Sequence, residues 1–221
     1  MANPAGAWQM GRPIFFLNFL VFLYFGTEVL LKNKSYMIEE ATISQIAVKA
    51  LELHSGNKAS MFQYCEKELH RTYPGHILTE TEWLFINAGG WMGSFKLLHA
   101  SFTEYVLLFG AAIETTGHSG RYWADIYDTV LTGEFRQWKE GSTEAEVHLP
   151  GTTVPHLKWE ASAVHFGNDT WMLEYGRGAI PSTMLFALAD SFTSTMDFWT
   201  VAKTLAIYAR SVVKEAMKGN F

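Results

Sequence analysis

The chain has 221 residues, 48% of them hydrophobic, enough for one domain with a sizeable core plus an accessory element. Its formal net charge is −5 and no Lys/Arg-rich run occurs, so the electrostatic footprint of a nucleic-acid binder is missing. The single cysteine, Cys65, excludes an intrachain disulfide framework and a multi-cysteine zinc site, and reads as an ordinary residue on a helix face.

From Ile14 to Leu31 the chain is apolar almost throughout, and as a helix it spans about 27 Å, the reach of a thin bilayer. The run exceeds a signal-peptide core and is followed by Lys32-Asn33-Lys34 rather than a small-x-small cleavage pattern, so it reads as a retained anchor. Asn18 within it calls for a polar partner, such as another copy of the same helix. Arg12 on one flank and Lys32 and Lys34 on the other leave orientation open under the positive-inside rule.

Apolar residues at helical spacing (Ile43, Ile46, Ala47, Ala50, Leu51) predict a helix within Ile38 to Leu53, stopped by Ser55-Gly56-Asn57. A second helix is predicted from Ala59 to Arg71, ended by Tyr73-Pro74-Gly75. From Trp83 to Gly178 the texture changes to short runs of period-two alternation separated by glycine-rich turns, the pattern of a β-sandwich or barrel. Beyond Pro181, Thr183 to Ala189 and Thr195 to Met217 return to helical, strongly apolar patterns. These two helices suit a cover on the barrel or a face laid on a membrane, and the two uses are compatible.

Two acids break the strand pattern. In Ile126, Asp128, Val130 and again in Met172, Glu174, Gly176, a carboxylate occupies the apolar parity, so both point inward. A buried carboxylate needs a proton, a partner or a cationic ligand. The same parity gathers Thr103, Tyr105, Leu107 and Phe109 on one strand and Ser162, Val164 and Phe166 on another, predicting an aromatic-lined interior for a large apolar ligand. If that ligand carries a basic amine, Glu174 can make the ion pair while a protonated Asp128 hydrogen-bonds to it. The other reading is that both acids satisfy backbone donors or nearby Tyr, Trp and His groups. Asp125 has the opposite parity, and a bulge would exchange it with Asp128.

The eight histidines include no His-x-His or His-x-x-x-His pair, so no metal is expected. Gly-His-Ser-Gly at 117–120 has the wrong order for a nucleophile elbow and reads as a turn; so does Gly-Gly-Trp-Met-Gly at 89–93, between strands. Asn168-Asp169-Thr170 and Asn33-Lys34-Ser35 match the glycosylation sequon, which is weak evidence alone.

Asn-Ala-Gly-Gly-Trp-Met-Gly (87–93), Leu-His-Ala-Ser (98–101), Glu-Tyr-Val-Leu-Leu-Phe-Gly (104–110), Gly-His-Ser-Gly-Arg-Tyr-Trp-Ala (117–124) and Trp-Met-Leu-Glu-Tyr-Gly-Arg-Gly-Ala-Ile-Pro-Ser-Thr (171–183) resemble the family that joins the sigma-1 receptors with the fungal C-8 sterol isomerases. Ala-Leu-Ala-Asp (187–190) and Ser-Thr-Met-Asp-Phe (194–198) extend the likeness. The resemblance implies an α+β protein: an N-terminal transmembrane helix in residues 1–33, then a cupin-like β-barrel flanked by helices in 34–221, with the two C-terminal helices packed on barrel and membrane. It implies Glu174 as the anchor of a ligand amine, Asp128 as its hydrogen-bonding partner and Tyr105 beside them. Ile86, Trp91, Phe95, Leu97, Leu107, Phe109, Ile126, His156, Val164, Phe166, Ile180, Thr183, Met184, Ala187, Thr204 and Tyr208 fall at pocket-lining positions of the family.

Two functions follow from the resemblance. One is a receptor for hydrophobic amines, sterols or lipids in the membrane of the endoplasmic reticulum and nuclear envelope. It would be a homotrimer and a chaperone-like modulator of other membrane proteins such as channels and receptors, with no cofactor. The other is a C-8 sterol isomerase moving a ring double bond from Δ8 to Δ7, with Glu174 and Asp128 or Asp125 as acid and base. The readings share a root, because a protonated amine resembles the carbocation of that isomerisation.

Overall fold

The computed structural model describes residues 4–221, with side chains from Ile14 onward, so the side chain of Arg12 lies outside the described residues. Helix α1 (Pro4–Asn33) contains the stretch Ile14–Asn33, which is long and apolar enough to cross a membrane. The chain divides after Ser35, and the second unit, Tyr36–Phe221, holds all the remaining elements.

Helices α2 (Glu40–His54) and α3 (Lys58–Thr72) bury the faces that their spacing marks: Ile43, Ile46, Ala47 and Ala50 on one, Met61, Cys65 and Leu69 on the other. Asn57 caps α3 by accepting the Ser60 N–H at 3.1 Å. Ten strands follow: β1 (Leu84–Ala88), β2 (Trp91–Ala100), β3 (Glu104–Ala111), β4 (Thr115–His118), β5 (Ala124–Thr132), β6 (Phe135–Lys139), β7 (Glu146–His148), β8 (Thr153–His156), β9 (Ser162–Phe166) and β10 (Thr170–Gly178). They form a six-stranded sheet, β1-β2-β3-β10-β5-β8, and a four-stranded sheet, β4-β9-β6-β7, with antiparallel pairings throughout. The β1–β2 hairpin turns on Gly89 (φ 58°) and Gly90 (φ 88°), a backbone that favours glycine.

Strand parity sorts the core. Val106, Leu108, Leu131, Leu173 and Tyr175 face outward from the larger sheet and pack with the buried faces of α2 and α3. Trp91, Phe95, Phe109, Ile126, Val130 and Met172 face inward and meet Phe135, Val164 and Phe166 of the smaller sheet. The two sheets face each other and are not closed into the expected β-barrel. Beside β8, the edge of the larger sheet, the link to the smaller sheet is made by side chains: His156 of β8 hydrogen-bonds Gln137 of β6 at 3.0 Å.

Helix α4 (Pro181–Thr193), with proline at its first turn, packs on β1, and α5 (Phe198–Ala216), capped by Asp197 accepting from Thr200 N–H at 3.0 Å, packs on β1, β2 and α4. Ala100 N–H donates to Ser211 Oγ at 2.8 Å and ties α5 to β2. The outer surfaces of both helices expose Leu185, Phe192, Phe198, Trp199 and Leu205. Asn168 lies exposed in the β9–β10 turn, its Oδ1 accepting from Glu114 N–H at 3.1 Å.

Candidate functional site

Glu174 of β10 and Asp128 of β5 are direct partners across the β10–β5 ladder, and both project from the inner face. The register irregularity between these strands falls at Trp171/Met172, beyond the acids, so it does not exchange Asp128 with its neighbour. Asp125 points away from the cavity: it accepts from Lys158 N–H at 2.9 Å and lies 3.9 Å from Arg177 Nε, so it is not a member of the pair.

The acids open into a cavity between the sheets, under α4 and α5. Every residue that the resemblance nominates, from Ile86 to Tyr208, lines it. Its far wall is aromatic: the ring centres of Trp91 and Phe166 are 5.1 Å apart and those of Phe109 and Phe166 5.8 Å. Thr103 is not in the wall, because it sits in the turn before β3 with its hydroxyl donated to Phe221 O at 2.9 Å. Ser162 is also absent from this wall; it borders a separate polar pocket.

Each acid has one strong donor. The Tyr105 hydroxyl donates to Glu174 Oε1, and His156 Nε2 lies 3.0 Å from Asp128 Oδ2. Gln137 Nε2 lies 3.0 Å from His156 Nδ1, which makes Nδ1 an acceptor and leaves the ring proton on Nε2, facing Asp128. Burial lowers His156 to about 4, so the ring is neutral at physiological pH. Burial raises Asp128 to about 7, against the lowering effect of its hydrogen bond to Glu174. Glu174 is pushed well above the ordinary carboxyl range by burial first and by the Asp128 charge second, with Tyr105 opposing. The pair therefore holds at least one proton at neutral pH and carries at most one net negative charge. The surface that Glu174 retains is cavity wall.

No Lys or Arg is among the described residues lining the cavity. The remaining charge therefore lacks a protein counter-ion, and the surrounding hydrocarbon would welcome a large apolar body around a cation. Among the described residues, no group of three or more His, Cys, Asp or Glu is arranged to hold a metal.

Several lining residues escaped the sequence reading, notably Tyr122, Phe135, Phe186 and Leu188. Phe135 shares with Gln137 the inward parity of β6, a signal available in the sequence. Tyr122 precedes β5 outside any alternating run, its hydroxyl donated to Ser119 O, and no local pattern marks it.

The profile of the family described as ERG2 and Sigma1 receptor like protein matches residues 14–220. The sequence is 55% identical over 188 residues to sigma non-opioid intracellular receptor 1 of Taricha granulosa, covering 84% of this chain and 82% of that one. It is 48% identical to the protein of the same name from Gallus gallus over 96% of this chain and 95% of that one. It is also 37% identical to C-8 sterol isomerase erg2 of Aspergillus fumigatus, over 84% and 78%. Among solved structures, KdgF from Halomonas sp. superposes with a TM-score of 0.38 at 16% identity, covering 46% of this chain and 93% of that one.

Proposed function

The chain belongs to the ERG2 and Sigma1 receptor like protein family, and from that premise we propose that it is an intracellular membrane receptor for hydrophobic cationic amines. One observation carries the reading: a buried acid pair, partners across the ladder and without a Lys or Arg in the described cavity lining, in an aromatic cavity. Glu174 makes the ion pair with the ammonium group, Tyr105 holds the carboxylate in place and Asp128 supports it. The apolar remainder of the ligand packs on Trp91, Phe109 and Phe166. Sterols or lipids are the neutral ligands that such a wall accepts.

Further parts of the proposal rest on family likeness. The receptor resides in the endoplasmic-reticulum membrane and nuclear envelope, assembles as a homotrimer and acts as a chaperone-like modulator of other membrane proteins. The span in α1 and the apolar outer surfaces of α4 and α5 support membrane association. Organelle fractionation and light scattering of the detergent-solubilised protein test residence and assembly.

The sterol isomerase reading has its own support: a proton-sharing carboxyl pair offers an acid and a base within one apolar cavity. Incubating the purified protein with a Δ8 sterol, and titrating it separately with a hydrophobic tertiary amine, separates the two. Amine binding without turnover is the expected result; turnover to the Δ7 product would establish the enzyme, and absence of amine binding would overturn the receptor proposal.

A further inference from the structure

His156 borders two cavities. Its Nε2 edge faces the acid pair, and the same residue lines a second, polar pocket at the unclosed seam between the sheets. Gln137, buried to 2% exposure, borders that pocket too. Its Nε2 is 3.0 Å from His156 Nδ1 and 3.3 Å from Ser162 Oγ, while its Oε1 is buried without a hydrogen-bond partner among the described residues. A buried amide oxygen demands a donor, and water in a polar pocket supplies one.

The mouth of this pocket is charged in balanced pairs. Arg121 Nη2 is 2.6 Å from Glu140 Oε2, and Lys139 Nζ is 4.0 Å from Glu160 Oε2. Such a rim is wet yet carries no net charge that would hold an anion. Lys139 and Glu160 of this rim, Asp128 of β5, Glu174 of β10 and His148 of β7 are the titratable groups acting on His156 or affected by it.

We propose that this polar pocket is the proton inlet of the acid pair: as the Gln137 amide turns its N–H away from Nδ1 of His156, water in the pocket passes a proton to Nδ1 while Nε2 releases its own proton to Asp128. The step balances, because a water O–H bond breaks as the Nδ1–H bond forms and the Nε2–H bond breaks as the Asp128 O–H bond forms, with the water proton replaced from bulk solvent. The Gln137 amide turns over to match the new tautomer, presenting Oε1 to Nδ1–H, and the reverse sequence discharges Asp128. Proton traffic is thus separated from the ligand route: the pair's charge is reset while the apolar cavity stays filled. His156 and Gln137 are positioning residues on this account. The role of the pair in holding amines is the reading above, whereas the relay stands on its own geometry.

The test follows the buried proton by infrared spectroscopy on the full chain in detergent. At about pH 8 ordinary carboxyls are ionised, so a protonated-carboxyl band that Glu174→Gln removes reports the pair. After transfer into D2O, exchange of that band is expected to be at least about tenfold slower in Gln137→Leu and His156→Phe than in the wild type. Gln137→Glu, which keeps polar oxygens of the same size to hold the water, retains the wild-type rate and separates relay loss from packing loss. A tertiary amine filling the cavity leaves the wild-type rate unchanged. Equal rates in Gln137→Leu and the wild type, or exchange blocked by the amine, would overturn the inlet. If no amine binds yet exchange slows in the variants, the receptor proposal falls and the inlet stands.

Discussion

Tyr105 and Gly176 are partners across the β3–β10 ladder, and the ring of Tyr105 occupies the space that a side chain at 176 would fill. The glycine therefore lets the tyrosine lie flat on β10 and aim its hydroxyl at Glu174, two residues away on the same face. Gly176→Ala pushes the ring off and breaks that hydrogen bond. Amine affinity should fall about tenfold, the size of one lost hydrogen bond to a charged group. Tyr105→Phe should cost the same, and the double variant no more than either alone. Additive losses in isothermal titration would show that Gly176 acts on something other than Tyr105.

On the amine-receptor proposal, the two acids are not equivalent toward a cation. Glu174→Gln removes the ion pair in a desolvated site and should lower affinity at least about a hundredfold. Asp128→Asn keeps an amide N–H for Glu174 and a carbonyl for His156 Nε2, so the loss should stay near tenfold. Equal losses in a competition assay would shift the anchor from Glu174 to the pair as a whole.

Asp125 divides the enzyme reading further. It faces away from the cavity and is engaged by Lys158 N–H, so Asp125→Asn should leave amine affinity, and any Δ8 sterol turnover, within about twofold of the wild type, as for surface changes. A large loss of turnover confined to Asp125→Asn would move the proton chemistry outside the cavity.

Stability should carry opposite pH signatures of Asp128 and His156. Burial holds Asp128 at about 7 against its ordinary 3.8. Between those values the folded chain keeps a proton that the unfolded chain has lost, so stability falls as pH rises through the window. Glu174, raised for the same reason, adds in the same direction. His156 is held at about 4 against its ordinary 6.5, so over that range the unfolded chain binds the extra proton and stability rises with pH. Relative to the wild type, Asp128→Asn should gain thermal stability from about pH 4 to 7, and His156→Gln should lose it over about pH 4 to 6.5. Parallel melting profiles for all three proteins would refute both assignments.

Local pattern explains what could be read in advance. The inward acids follow from a period of two that tertiary packing did not disturb, and α2, α3, α4 and α5 follow from apolar spacing, whereas the caps Asn57 and Asp197 that set the starts of α3 and α5 are seen only in the structure. Thr103 leaves the inward set because the turn between Ser101 and Glu104 ends the alternation one step early. Ser162 does point inward, but it arrives at the polar seam rather than the apolar cavity. Gln137 could not be paired with His156 from sequence. Their meeting depends on how the smaller sheet lies against the larger, which no single strand encodes.

Glu104 offers a test of the fold apart from the cavity. It is fully buried on the opposite face of β3 from Tyr105 and gathers the chain just before α2. Its Oε2 accepts from Met37 N–H at 2.9 Å and its Oε1 from Ile38 N–H at 2.9 Å, with the Tyr175 hydroxyl 3.0 Å away. A carboxylate serves both backbone donors because it has only acceptors, and the single Tyr175 hydroxyl proton is divided between Glu104 and Ile38 O, 2.9 Å away. Glu104→Gln is isosteric but turns one acceptor into an NH2 group facing a backbone N–H, which leaves buried donors opposed. The cost should be roughly 2–4 kcal/mol, since a charge-assisted network loses one side. For a domain of this size that lowers the thermal midpoint by roughly 4–16 °C. Amine affinity of the folded protein should stay within about twofold, because the substitution lies on the far side of the sheet from Glu174. An unchanged midpoint would mean that water, rather than Glu104, satisfies Met37 and Ile38; a lost affinity with an unchanged midpoint would tie the segment before α2 to the site itself.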